Sequence, residues 1–167
     1  MNFEFINSPS FKNINYPERI KLFRPLEISD RHKCANLYSQ VFSSPPWSEP
    51  WTDEEADNRL RYLMDSKGFF GFLAEKNGKT IGFVLGTTEP FVGGNAFYLR
   101  EMCVCPTEQG RGIGKELIAY LHTALVSLDV SRSYLITQRG GHAARFYEKN
   151  GYIQEVDDAV YQADLKE

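Results

Sequence analysis

The chain has 167 residues, 42% of them apolar and 14% aromatic, enough to build one folded domain with its own core. A formal net charge of −3 excludes a general nucleic-acid binder, which carries a basic surplus. No apolar run approaches the roughly 20 residues of a membrane span, and the N-terminus lacks a secretory leader pattern. Three cysteines, Cys34, Cys103 and Cys105, make neither a disulfide framework nor a zinc spacing, so a cytoplasmic protein without metal is expected.

Residues 1–19 show no periodicity and read as an extended N-terminal arm, leaving 20–167 as the folded body. Residues 20–26 read as a first strand, with Pro25 placing it at an edge or at its own end. Ser29 or Asp30 caps a helix with the buried stripe Leu37, Tyr38, Val41 and Phe42, stopped by Ser43-Ser44-Pro45-Pro46. After Pro45-Pro46-Trp47-Ser48-Glu49-Pro50-Trp51, Thr52 and Glu55 stand at capping-box spacing and open a helix that turns Leu60, Leu63 and Met64 inward. Residues 69–75 and 80–88 are strands around Asn77-Gly78, a strong hairpin signal. A turn at 91–95 leads into a central strand, 96–104.

That strand ends at Pro106, which cannot donate to a ladder. Gln109-Gly110-Arg111-Gly112-Ile113-Gly114 then opens a helix with Ile118 and with Leu117, Leu121, Leu125 and Leu128 at helical spacing. Free backbone N–H groups and the positive end of the dipole favour an anion there, and glycines admit a phosphate close to the backbone. The lysine nucleotide loop fails, because Glu116 follows Gly114-Lys115. The dinucleotide fingerprint lacks its first glycine. Beyond this helix the pattern gives a strand at 133–137, a helix at 142–150 closed by Gly151 as a left-handed cap, and closing strands at 152–156 and 159–165.

The glycine segment matches Gln/Arg-x-x-Gly-x-Gly/Ala and follows a strand of the form Glu-x-x-Val-x-Pro (Glu101, Val104, Pro106). It resembles the acetyl-coenzyme-A signature of the GNAT N-acetyltransferase superfamily, over about residue 20 to the end. The resemblance implies an α/β (α+β) fold: a single GNAT-like domain with a central mixed, mostly antiparallel sheet flanked by helices, in the order β-α-α-β-β-β-α-β-α-β-β. It implies acetyl-CoA as cosubstrate and direct transfer to an amine. Coenzyme-binding positions are then Met102, Cys103, Val104, Gln109, Gly110, Arg111, Gly112, Ile113, Gly114, Lys115, Phe146 and Tyr147. A local parting of the central strand from its neighbour, which would free backbone groups at Met102–Val104, is implied by the resemblance alone.

Amine attack on a thioester needs a base, oxyanion donors and an acid for the thiolate. Glu101 stands where many such enzymes carry a glutamate. By alternation it shares a face with Phe97, Leu99 and Cys103, with Arg100 pointing the other way. Burial raises its pKa towards a useful range; otherwise it is a structural carboxylate whose cation comes from elsewhere, such as Arg145. Tyr147, within Ala143-Ala144-Arg145-Phe146-Tyr147, resembles the family's acid beside the coenzyme sulfur. Seven residues before it, Gly140 stands where the family often has asparagine, leaving Gln138 or His142 to meet the pantetheine arm. Trp47 and Trp51, with Glu49, Asp53 and Glu54, suit a cationic, partly apolar acceptor; alternatively the tryptophans plug the core and the acids serve the helix dipole. An acetyl-cysteine route through Cys103 or Cys105 and a base role for His142 are minor alternatives. The reading is an N-acetyltransferase of a small amine, aminoglycoside-like or polyamine-like. Transfer to a protein or peptide, or a non-catalytic acyl-CoA-binding regulator, are the alternatives. Whether the closing strands pair across a homodimer is left open.

Overall fold

The computed structural model describes residues 23–165, so the expected N-terminal arm lies outside the described residues. The chain divides into two compact units between Leu135 and Ile136. The first holds a five-stranded sheet of β1 (Phe23–Pro25), β2 (Phe69–Lys76), β3 (Lys79–Phe91), β4 (Gly94–Val104) and β5 (Val130–Tyr134), in that spatial order. Every pair is antiparallel except the parallel β4–β5 pair. β1 lies at the edge, as Pro25 requires. Asn77 and Gly78 take φ of 52° and 75°, the left-handed pair that a two-residue hairpin between right-twisted strands demands.

α1 (Arg31–Phe42) and α2 (Asp53–Met64) cover one face of the sheet. Leu37, Tyr38, Val41, Leu60, Leu63 and Met64 pack there with Leu73, Phe83, Leu85 and Cys103. The capping box at α2 forms as expected: the Glu55 N–H donates to the Thr52 hydroxyl at 3.2 Å, and the Thr52 N–H donates to the Glu55 carboxylate at 2.9 Å. Asp30 departs from its expected role. It is buried at the end of a 3-10 turn (Ile28–Asp30), gives α1 no side-chain cap, and accepts Arg24 through both oxygens at 2.6 and 2.7 Å. A carboxylate withdrawn from water is stabilised better by a guanidinium than by one backbone amide.

α3 (Ile113–Ser127) covers the opposite face, burying Leu117, Ile118, Leu121 and Leu125. Its Tyr120 stacks on Phe23, with ring centres 5.0 Å apart, and lies 5.9 Å from Phe72. Leu128 ends outside that stripe, more than a third exposed. The next residue, Asp129, has φ of 55°, and this left-handed turn reverses the chain at once. β5 therefore begins at Val130, ahead of the expected 133–137.

The middle of β4 carries the feature that matters most for function. Leu85 pairs with Glu101 but the next residue, Gly86, pairs with Leu99, so Arg100 is an extra residue in a β-bulge. Adjacent residues of β3 face opposite ways. Glu101 therefore shares the α1–α2 face with Leu85 and Cys103, while Leu99 and Phe97 share the α3 face with Gly86. The expectation that Glu101 lies on one face with Phe97 and Leu99 is corrected here. Unbroken alternation fails across a bulge, which re-aims the side chains beyond it.

The second unit contains α4 (His142–Lys149). Gly151 caps it at φ of 91°, as expected. Residues 152–165 differ from expectation: they form no strand, and Ile153, Val156, Val160, Tyr161 and Leu165 are exposed. Alternation favours a strand only where a neighbouring strand supplies hydrogen-bond partners, and none pairs with these residues in the described chain.

Gly86 tests the bulge. A Cβ there would collide with the Tyr98 carbonyl oxygen and stand 2.6 Å from Phe97 Cζ. Gly86→Ala is expected to lower stability by about 2–3 kcal/mol, measured by urea unfolding; a change within about 0.5 kcal/mol would mean the strands do not meet this closely.

Candidate active site

Glu101 sits on the bulged part of β4 and is buried, 7% exposed. One of its carboxylate oxygens accepts two hydrogen bonds from Arg59 of α2, from Nε at 2.9 Å and Nη2 at 2.6 Å. The hydroxyl of Tyr38, from α1, lies beside the same carboxylate and helps to hold its pKa down. Burial drives the Glu101 pKa above the ordinary carboxylate value, and Arg59 and Tyr38 partly offset that rise. Burial likewise raises the Tyr38 phenol. Neither Arg59 nor Tyr38 was singled out as a site residue from sequence. The signal for Arg59 was present: it lies three residues after Ala56 and four before Leu63, on the apolar stripe of α2, where an unpaired cation is costly.

The bulge lies just past the end of β5, which pairs with β4 over its whole length. The β4–β5 ladder runs from Asn95 to Tyr98 and stops, leaving residues 99–104 of β4 unpaired with β5. Met102, Cys103 and Val104 lie on this stretch. Cys103 is buried and its thiol is pushed well above its usual pKa by that burial, which keeps it a protonated, poor nucleophile.

Beyond Val104 the chain makes a 3-10 turn (Pro106–Glu108) and reaches the glycine segment. The Gln109 side-chain amide donates to the Val104 carbonyl at 3.0 Å, tying turn to strand. Gly110 and Gly112 take φ of 73° and 87°. A Cβ on Gly110 would meet nothing within 4 Å, and one on Gly112 only the Glu116 carboxylate at 3.8 Å. The space over this turn is open, and φ is what calls for glycine. α3 starts at Ile113 with no side-chain cap on its first amides, and residues 109–112 ahead of it are exposed. Gly114 lies in the first turn of α3, and Arg111 and Lys115 are exposed beside it. Arg111 lies 3.6 Å from Glu108, which is itself 2.9 Å from Lys76. Residues 109–115, expected to hold a coenzyme pyrophosphate, thus bring two left-handed glycines, uncapped helix amides and two exposed cations into one short segment, a candidate anion cradle.

On the other side of Glu101, Trp47, Phe42, Tyr38 and Trp51 form an aromatic chain with successive ring centres 5.6, 4.4 and 5.1 Å apart. Trp51 and Pro50, with Glu49 and Glu55, line an open cleft of about 260 Å³. Both tryptophans therefore connect to the Glu101 group through Tyr38. The nearby acids are largely engaged within the chain: Glu49 accepts the Trp51 indole N–H at 2.6 Å, Asp53 accepts the Ser39 hydroxyl at 2.5 Å, and Glu55 closes the capping box.

Within the second unit, Tyr147 is half-buried on α4, its ring 5.3 Å from Phe146 and 5.4 Å from Tyr152. Its carbonyl accepts the Asn150 and Tyr152 amides and shapes the C-terminal turn. Gly140 has φ of 70°, a conformation that asparagine also adopts more readily than most residues. His142 is exposed at the helix start.

A mixed sheet whose β4 carries a buried carboxylate and leads through a glycine turn into a helix start defines an α/β fold. The chain belongs to the acetyltransferase (GNAT) family, whose family model matches residues 33–152. It is 26% identical over 129 residues to L-2,4-diaminobutyric acid acetyltransferase of Nocardia farcinica, spanning 72% of this chain and 64% of that relative's length. In fold it is similar to the aminoglycoside acetyltransferase meta-AAC0020 from an uncultured soil metagenomic sample, solved with sisomicin (TM-score 0.68, 19% identity, covering 86% of this chain and 95% of that one). It is also similar to aminoglycoside N-acetyltransferase AAC(6')-Iy, solved with CoA (TM-score 0.66, 17% identity, 86% and 94% covered). No helix among the described residues is long and apolar enough to cross a membrane.

Removing the Arg59 charge tests the pairing. In Arg59→Leu, Glu101 keeps its burial and loses its cation, so its folded-state pKa rises further above the unfolded value. A raised carboxylate pKa costs stability above that pKa, and the penalty disappears as pH falls towards the unfolded value. The variant is expected to lose about 2–3 kcal/mol at pH 8, with the gap to wild type narrowing towards pH 5 in denaturant titrations. A gap independent of pH would show that Arg59 acts through packing alone.

Proposed function

We propose that this chain is an acetyl-CoA-dependent N-acetyltransferase that moves the acetyl group directly to a primary amine of a small molecule. The observation that carries the reading is the placement of Glu101: a buried carboxylate on the stretch of β4 that runs on beyond β5, one short turn ahead of the glycine segment. The relatives fit it, since the curated one is named for an amino acid with two amines and a structural one was solved with the amine sisomicin.

Gln109 to Gly114 would hold the pyrophosphate on backbone amides, with Arg111 and Lys115 adding charge. Residues Met102 to Val104 would meet the pantetheine arm through the backbone groups that β5 leaves free, and a backbone N–H near Cys103 or Val104 would support the oxyanion. Acetyl-CoA supplies a carbonyl activated as a thioester, together with a thiolate leaving group. The acceptor arrives as an ammonium ion past Trp47 and Trp51. Glu101 takes one proton from it, directly or through a water, which frees the nitrogen lone pair to form the new C–N bond as the C–S bond breaks. Tyr147 gives its proton to the departing sulfur and regains one from the nitrogen side, so the products are an amide, the free thiol and one proton carried off by Glu101. Arg59 and Tyr38 orient Glu101 and keep its pKa from rising too far.

The test is thiol release from acetyl-CoA against polyamines, aminoglycosides, amino acids and short peptides. Glu101→Gln and Tyr147→Phe are each expected to lower kcat by about 10²–10⁴-fold while CoA binding by calorimetry persists. The base must be ionised, so kcat/KM rises with pH through the Glu101 pKa. Because Arg59 holds that pKa down, Arg59→Gln should move this limb to higher pH. Tight CoA binding without turnover on any amine would favour an acyl-CoA-binding regulator, and no CoA binding would sink the reading of the cradle. Turnover confined to the peptides would move the acceptor to macromolecules.

A further inference from the structure

The α1–α2 face of the sheet continues past Glu101 along β4. Tyr98 pairs opposite Thr87 and Glu101 opposite Leu85, so their side chains leave the sheet on the same side. The bulge adds Arg100 to that side, against the expectation that it points away: its guanidinium carbon lies 4.7 Å above the Tyr98 ring. Tyr98 in turn stacks on Tyr134, with centres 4.7 Å apart and planes within 10°. Beyond Glu101 the sheet thus presents a flat aromatic platform with a guanidinium laid on it.

The carboxylates on this face already have donors. Glu101 holds Arg59, and Glu89 accepts the Tyr134 hydroxyl at 2.5 Å. Arg100 has no such partner. Arg24, Arg31, Arg59 and Arg61 each reach a carboxylate within 3.0 Å, whereas half-buried Arg100 makes no hydrogen bond or ion pair among the described residues. A guanidinium is a planar fork of donors shaped for a carboxylate. Here it is aimed by a ring and left open beside the proposed base. Exposed Arg132, over the Phe91 ring at 4.5 Å, adds a second positive charge to this side, which disfavours a polycation.

We infer that Arg100 binds a carboxylate of the acceptor, so that the molecule acetylated is an amino acid or a small amine of that class. This rests on the acetyl-transfer reading of Glu101. The spacing suits a short acceptor. Tyr98 stands opposite Thr87 and Glu101 opposite Leu85, so the bulge brings the ring beneath Arg100 and the base within two residues of β3, about 7 Å along the sheet. Arg100 is a specificity-determining residue: it holds the far end of the acceptor and leaves the reacting nitrogen to Glu101.

The experiment compares an α,ω-diamino acid, its primary carboxamide and the corresponding decarboxylated diamine as acceptors, by thiol release from acetyl-CoA with wild type, Arg100→Gln and Arg100→Lys. Wild type is expected to favour the acid over the diamine by about tenfold or more in kcat/KM. That ratio should collapse in Arg100→Gln and return in part in Arg100→Lys; a ratio cancels any general loss of folding or turnover. Wild-type turnover without preference for the acid, or a preference that survives in Arg100→Gln, overturns the carboxylate site and leaves acetyl transfer standing. If nothing turns over, calorimetry of the diamino acid into CoA-loaded protein decides: binding that Arg100→Gln abolishes supports the carboxylate site while the transfer reading fails, and no binding overturns both.

Discussion

A carboxylate cannot be placed under two helices without something to hold its charge, and Glu101 sets that demand for the rest of the structure. Its position on β4 beneath α1 and α2 keeps water away, and that burial pushes its pKa above the ordinary carboxylate value. Arg59 from α2 and Tyr38 from α1 answer the demand from two different helices. α1 and α2 therefore do more than cover the sheet, since their packing fixes the groups that set the ionisation of Glu101. The same packing carries the aromatic chain from Tyr38 to Trp47 and Trp51, so the acceptor side of the protein and the carboxylate are built on one support.

The bulge at Arg100 links this support to the cofactor side. One extra residue turns Glu101 from the α3 face to the α1–α2 face, and from Leu99 onward β4 has no ladder with β5. A strand that runs past the end of its neighbour leaves backbone donors and acceptors without a ladder on that side, which ordinarily costs free energy and is the surface proposed for an extended ligand. The chain then passes through Pro106 into the glycine turn, where two left-handed glycines bring it to the uncapped start of α3. The strand edge beyond β5, the glycine turn and the uncapped helix start follow one another along the chain, with Val104, Cys105 and Gln109 bonded locally between them. That continuity within one short segment is what a long, phosphate-tailed cosubstrate requires.

Charge on the acceptor side is distributed differently from what a count of acidic residues suggests. Of the acids that look like recruits for a cation, Glu49 and Asp53 are spent on an indole and a hydroxyl, while Glu54 lies exposed in the first turn of α2. The open charge next to Glu101 belongs to arginine. Two side chains can be equally charged and differ entirely in what they offer a ligand, because a group already hydrogen-bonded must break that bond to make another.

The amino-acid sequence by itself determined whatever depends on near neighbours. The Thr52–Glu55 capping box, the Asn77-Gly78 hairpin, the edge position of Pro25, the glycine turn into α3 and the Gly151 cap were all legible, because each rests on the backbone preferences of residues a few positions apart. Family membership was legible for the same reason, since its signature is one contiguous strand, turn and helix. Tertiary structure alone decided the partner of Glu101, 42 residues away in sequence, and the face on which Glu101 and Arg100 lie. It also decided that residues 152–165 form no strand. Pairing register and ion pairs between distant elements are set by which backbones meet in space, and one inserted residue in a ladder reverses every face beyond it without changing the pattern of residue types.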